Sequence, residues 1–256
     1  MDENVKSMLQ NALMEYKPVY FELLKDAPFA LYELKVATEG IMLIRKADQL
    51  IIGKFPTADV FEIQAIFEKL EHICRWEKTL TLGDKQPPTE NYVELMLVEL
   101  DEDRNVIKEV KTSEVTIDIL IENGLEKKVP FRVEARNNAN APRHCALFYF
   151  TGNYGVYKMY NEEIPGKGTA ILLEYNPSGK PYLFELNGKK EATDILKLVA
   201  RKEKINEYLL TQANIKLGEM KRATKGIGKR KNKRYQASLN NWFALTLRVR
   251  SLAKEI

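Results

Sequence analysis

The chain has 256 residues, 45% of them hydrophobic and 30% charged, with two cysteines and a formal net charge of +4. That is enough chain for one good core and a smaller second one, and the balance excludes a disulfide scaffold or a low-complexity fibre. No apolar run has the length of a membrane span, and the opening MDENVKSMLQ lacks a secretory signal, so the cytoplasm is the expected compartment.

Residues 1–25 begin with Val5, Leu9 and Leu13 at helical spacing, until Pro18 interrupts; VYFELL then suits either a strand or a continued helix. ALYELKVA, GIMLIR and QLIIGK form a small predicted meander. The clearest predicted helix spans about Ala58–Trp76, with Thr57 as its N-cap. Val60, Ile63, Phe67, Leu70 and Cys74 make one apolar stripe, and the acids Asp59 and Glu62 favour the first turn. LGDKQPP breaks the chain and marks a boundary between residues 1–80 and 81–256.

From there the period changes to two. EVTIDILIE and PFRVEAR alternate apolar and polar, HCALFYF is apolar on both faces as a central strand should be, and YGVYKMY and GTAILLEY follow across NEEIPGK, a predicted turn. PYLFEL, DILKLVA and WFALTLRVR are further predicted strands, and KEKINEYLLTQ is a predicted short helix. The expected fold class is α+β, mainly β: an immunoglobulin-like β-sandwich over 81–256, preceded by a small α/β subdomain. Between Lys216 and Arg234 nine basic residues face one acid, Glu219; this window carries +8, and the other 237 residues sum to −4. Such a stretch suits phosphates, and Gly226 and Gly228 would let its backbone approach an anion closely; a solvated loop is the plainer alternative.

Signatures of catalysis are missing: HExxH, CxxC, GxGxxG, GxSxG and Walker-type loops are all absent. Two histidines cannot build a histidine-rich metal site, and no cofactor or metal is expected. A Cys–His nucleophile would need a cross pairing, because His72 and Cys74 diverge on a helix, and His144 and Cys145 point to opposite faces of a strand. Buried, inert thiols are the expectation. The acid pairs Asp101/Asp103 and Glu162/Glu163 fall in turn-like stretches and serve solubility. Trp76 and Trp242 should pack at core edges with each indole N–H partnered.

Several stretches carry a resemblance. NNANAPRHCALFYFTGNYGV resembles a strand–turn–strand segment that follows the protease domain in prokaryotic caspase-like (peptidase C14-type) proteins. TDILKLVARKEKINEYLLTQANI, LEHICRWEKTLTL and NNWFALTLRVR are similar to other parts of that region, with Trp76, Asn138, Asp194, Lys197 and Trp242 as anchors over residues 20–252. The resemblance implies an accessory region alone, whether truncated, processed or free-standing. The protease would lie in a separate domain, and no catalytic residue carries over. It also implies a context of bacterial anti-phage defence, in which a TIR-domain partner makes a nucleotide signal. The lysine and arginine density of 221–234 departs from the family pattern.

The leading expectation is therefore a non-catalytic regulatory domain that senses a nucleotide-derived messenger such as a cyclic ADP-ribose isomer. Its candidate contacts are Tyr154, Lys158, Tyr160, Arg222, Lys225, Lys229, Arg230 and Trp242, with rings to stack on bases and cations to hold a pyrophosphate. The alternative is a protein-interaction sandwich controlling a caspase-like protease domain, and nucleic-acid binding ranks third. No membrane partner is expected.

Overall fold

The computed structural model describes residues 3–24, 27–37, 40–55, 60–83, 93–218 and 242–255. Strands take 50% and helices 15%, so the chain is a mainly β α+β protein. Among the described residues no helix is long and apolar enough to cross a membrane. Two compact units emerge: residues up to 79 with 214–218, and residues 80–213 with 242–255.

In the first unit, helix α1 (Glu3–Tyr16) stops where Lys17 turns to φ +51 and donates its N–H to the Leu13 carbonyl, just before Pro18. VYFELL is neither strand nor helix. The Val19 and Tyr20 amides donate to the Glu71 carboxylate at 2.8 and 3.4 Å, a side-chain partner that competes with regular structure. Strands β1 (Tyr32–Ala37), β2 (Gly40–Arg45) and β3 (Leu50–Phe55) form the expected antiparallel meander. Helix α2 (Val60–Leu80) runs past Trp76, the expected end, because Glu77, Lys78 and Thr79 tolerate helix and the left-handed Gly83 comes later. Its expected start at Thr57 and Ala58 lies outside the described residues. Ile63, Ile66, Phe67, Leu70 and Ile73 are buried on it, and the Phe67 ring meets Tyr16 and Phe21 at 5.4 and 5.6 Å.

The second unit holds the remaining strands: β4 (Val93–Leu100), β5 (Val106–Val110), β6 (Glu114–Glu122), β7 (Leu125–Lys127), β8 (Val129–Asn137), β9 (Arg143–Phe150), β10 (Val156–Ile164), β11 (Thr169–Leu173), β12 (Leu183–Phe184), β13 (Glu191–Arg201) and β14 (Phe243–Glu255). One sheet has the order β10-β9-β13-β14-β6-β7, the other β11-β8-β4-β5 with β12 against β8. All pairings are antiparallel except β14 with β6. Both sheets feed one core, with Leu97, Phe131 and Val133 from one and Ile119, Leu147, Leu198 and Val249 from the other. Alternation placed these residues correctly: in β8, Phe131, Val133 and Ala135 are all buried. HCALFYF is indeed interior, between β10 and β13, and buried on both faces. Two expectations fail locally. NEEI extends β10, so the turn is only Pro165–Gly168, and KEKINEYLLTQ contributes just a 3-10 turn, Glu207–Leu209, capped by Asn206.

Asn137, fully buried at the end of β8, ties the corner of this unit. Its Nδ2 lies 3.0 Å from the Ala141 carbonyl and 3.1 Å from those of Ile164 and Pro165, and its Oδ1 accepts the Ala139 N–H at 3.0 Å. Its backbone N–H donates to Gly168 and the Lys167 N–H donates to Ala139, both at 2.9 Å. The loop leaving β8 and the turn joining β10 to β11 are thus one hydrogen-bonded body. Gly166 completes it, since a Cβ there would stand 2.0 Å from the Asn140 carbonyl oxygen. Replacing Asn137 with isosteric Asp removes the donor and sets an anion against three carbonyls. Unfolding in denaturant should show a loss of about 2–4 kcal/mol; a change below about 0.5 kcal/mol would refute the role given to the amide.

Candidate functional site

Strands β10 and β11 are the edge strands of the two sheets, joined only by the Pro165–Gly168 turn. Away from that turn they border an open groove of about 730 Å³. Tyr149, Tyr157, Lys158 and Met159 line it from β9 and β10; Ile171, Glu174, Tyr175, Asn176 and Tyr182 line it from β11 and the hairpin beyond. Tyr149 and Tyr157 are direct cross-strand partners, and Tyr182 donates its N–H to the Glu174 carbonyl at 2.9 Å. Beneath them Phe131 and Phe184 stack at 3.8 Å, with Phe131 tilted against Tyr182 at 6.4 Å, so that wall stands on the core.

Charges at the groove are already paired. Lys158 meets Glu207 at 2.8 Å, and Arg104 meets Glu174 at 3.2 Å while its guanidinium lies 4.2 Å from the Tyr175 ring centre. Hydrogen bonds from Lys158 and Asn161 hold the Glu207 carboxyl below its ordinary range, and Glu207 raises Lys158 in turn. Behind the groove the Tyr149 hydroxyl donates to Asp194 at 2.7 Å. Burial pushes both groups up, Tyr149 further by the charge of Asp194. The turn after β11 is fixed by Asn176, whose Oδ1 accepts from the Ser178 and Lys180 amides at 3.0 Å each and from the Ser178 hydroxyl at 2.7 Å.

The expected contacts fare unevenly. Lys158 lies on the groove. Tyr154 does not: it is 1% exposed, sits at φ +61 in the turn before β10, and packs as core. Tyr160 is half-buried against the sandwich core, and burial raises its hydroxyl. Trp242, just before β14, is half-buried with the Arg201 guanidinium 5.4 Å from its ring. Its Nε1 is buried without a hydrogen-bond partner among the described residues, contrary to expectation. Arg222, Lys225, Lys229 and Arg230 lie outside the described residues. Four tyrosines were missed as a set. Tyr157 sat inside the stretch singled out, but only the pairing of β9 with β10 and the hairpin after β11 bring Tyr149, Tyr175 and Tyr182 to it.

Burial disfavours the thiolate at both cysteines, pushing Cys74 up to about 11 and Cys145 to about 12. His144 Nε2 instead contacts Asn161 Oδ1 at 3.1 Å. Among the described residues no three His, Cys, Asp or Glu side chains are grouped to hold a metal. No protein-family model matches the chain, and no curated protein matches it.

Asp194 gives a pH test with a definite sign. A carboxyl whose value rises on folding binds its proton more tightly in the folded state. Stability from this group is full at low pH and falls as pH climbs through the ordinary aspartate value toward the folded one. Asp194→Asn keeps an acceptor for the Tyr149 hydroxyl and removes the ionisation. Melting curves from about pH 3 to about pH 7 should show the variant gaining on the native protein as pH rises; parallel curves would contradict the burial effect.

Proposed function

We propose that this chain is a non-catalytic binding module whose site is the tyrosine-lined groove between β10 and β11. The observation that carries the reading is the groove itself. An open groove of about 730 Å³, walled by rings on the sandwich and edged by a few fixed polar groups, has a lining that suits a small molecule. The proposed ligand presents a ring to Tyr157 and Tyr175, which are 41% and 49% exposed. The strand order supports the immunoglobulin-like part of the reading: the chain alternates between two sheets, and the last strand runs parallel to β6 after pairing with β13.

The resemblance to the accessory region of caspase-like proteins supplies the regulatory context, and a nucleotide-derived signal is one ligand of the proposed kind. Its base would stack on the rings, but its phosphates would meet Lys158, which already holds Glu207. The reading of a protein-interaction module, controlling a protease domain, has its own support in the first unit. There Met14, Val19, Tyr20, Leu24, Phe29 and Leu31 are all exposed large apolar side chains within one short stretch.

A thermal-shift screen should include cyclic nucleotides, cyclic ADP-ribose isomers, saccharides and peptides. A groove ligand at about 100 times its Kd stabilises by about 2.7 kcal/mol. Tyr157→Ala and Tyr175→Ala, at exposed positions with one ring or cation contact each, should leave the unliganded protein within about 1.5 kcal/mol of native and cancel that shift. A ligand bound equally well by both variants would place the site elsewhere.

A further inference from the structure

We infer that the groove binds a neutral saccharide, seated on the tyrosine rings through the apolar faces of its sugar units and held at its hydroxyls. The inference rests on the groove being the binding site, and it goes further by naming the ligand chemistry.

Charge decides first. The two formal charges in the lining, Lys158 and Glu174, are each matched by an opposite charge, Glu207 and Arg104. The four groups sum to zero. An anion would have to take Lys158 from Glu207 while lying near the Glu174 carboxylate, and a cation would have to compete with Arg104. A neutral ligand leaves both pairs intact.

Hydrogen-bonding capacity decides next. Among the described residues, the hydroxyls of Tyr157, Tyr175 and Tyr182 have no protein partner, unlike that of Tyr149, which Asp194 holds. Each can donate and accept. Asn176 spends its Oδ1 inside its own turn and leaves its amide N–H groups as donors. Glu174, bonded to Arg104 through Oε1, keeps lone pairs as acceptors. The groove therefore offers both donors and acceptors without net charge. A sugar hydroxyl, which is both donor and acceptor, uses all of them. A proline-rich peptide presents mainly carbonyl acceptors and would leave Glu174 unserved.

Shape agrees with chemistry. A tyrosine joins an apolar ring face to a polar tip, and a sugar joins an apolar C–H face to a rim of hydroxyls. Ile171 and Met159 extend the apolar floor between the rings. Because the groove is open along the two strand edges, it admits units within an oligosaccharide and does not require a chain end.

The test uses the full chain and calorimetry with neutral hexasaccharides of α- and β-linked glucose, mannose, xylose and N-acetylglucosamine. At least one should bind, with an affinity that holds within about twofold from low salt to about 0.5 M salt. Tyr157→Ala and Tyr175→Ala should each weaken it about tenfold or more. If no hexasaccharide binds while a cyclic nucleotide or a proline-rich peptide binds with the same dependence on the tyrosines, the groove stands as the site and the saccharide is overturned. If a hexasaccharide binds and neither substitution weakens it, the groove assignment falls with it.

Discussion

One buried amide fixes the geometry on which the candidate site depends. The Asn137 Nδ2 reaches three carbonyls that belong to two loops, the one leaving β8 and the one joining β10 to β11. Strands β10 and β11 belong to different sheets and are not hydrogen-bonded to each other, so sheet pairing does not set their separation. The shared core and their common turn set it, and Asn137 holds that turn. A buried polar group left unpaired costs about 1–3 kcal/mol, so losing the amide weakens this corner, although the Pro165 carbonyl still accepts the Gly168 N–H. Gly166 permits it, because its neighbour's backbone occupies the place a side chain would need.

The groove follows from this as the splayed end of an arch. Close to the turn the two edges are tied together, and away from it tyrosines line the groove. The rings give the gap its apolar walls without closing it, since a tyrosine satisfies its hydroxyl in solvent or on a ligand. Ion pairs flank the opening, and each is partly exposed, so each contributes about 1 kcal/mol or less to stability. In the proposed site they also neutralise the charges of the lining, which would disfavour ions and leave rings and hydroxyl-like groups as the complement.

Much of the fold was legible in residue patterns. The period-two runs of β6, β8 and β14 assigned core and solvent faces, because one wet face forces alternation. The β1–β3 meander and helix α2 were legible from turn residues and the 3.6 period. Errors came where local signals compete. In KEKINEYLLTQ helical spacing lost to tertiary ties, with Asn161 Nδ2 binding the Ile205 carbonyl and the Glu207 carboxylate. In VYFELL the carboxylate of Glu71 took the backbone donors. The site was far less legible. Lys158 borders the groove from within the run of aromatic residues that stood out in the sequence, whereas Tyr154 in the same run has a left-handed backbone and is buried. Tyr149 and Tyr182 are far apart along the chain and belong to different sheets, and only the packing of the two sheets puts both on the groove. Asn138 stood out in the sequence, yet its neighbour Asn137 carries the structural bonds.

Hydrogen–deuterium exchange on Asn137→Asp, beside the native protein, is the most direct measurement of this account. The expected result is faster exchange at the amides of Ala139, Lys167 and Gly168 and along β10 and β11, with the amides of β13 and β14 retaining their protection. Unchanged exchange at Ala139, Lys167 and Gly168 would contradict it, and so would a loosening spread evenly over both sheets.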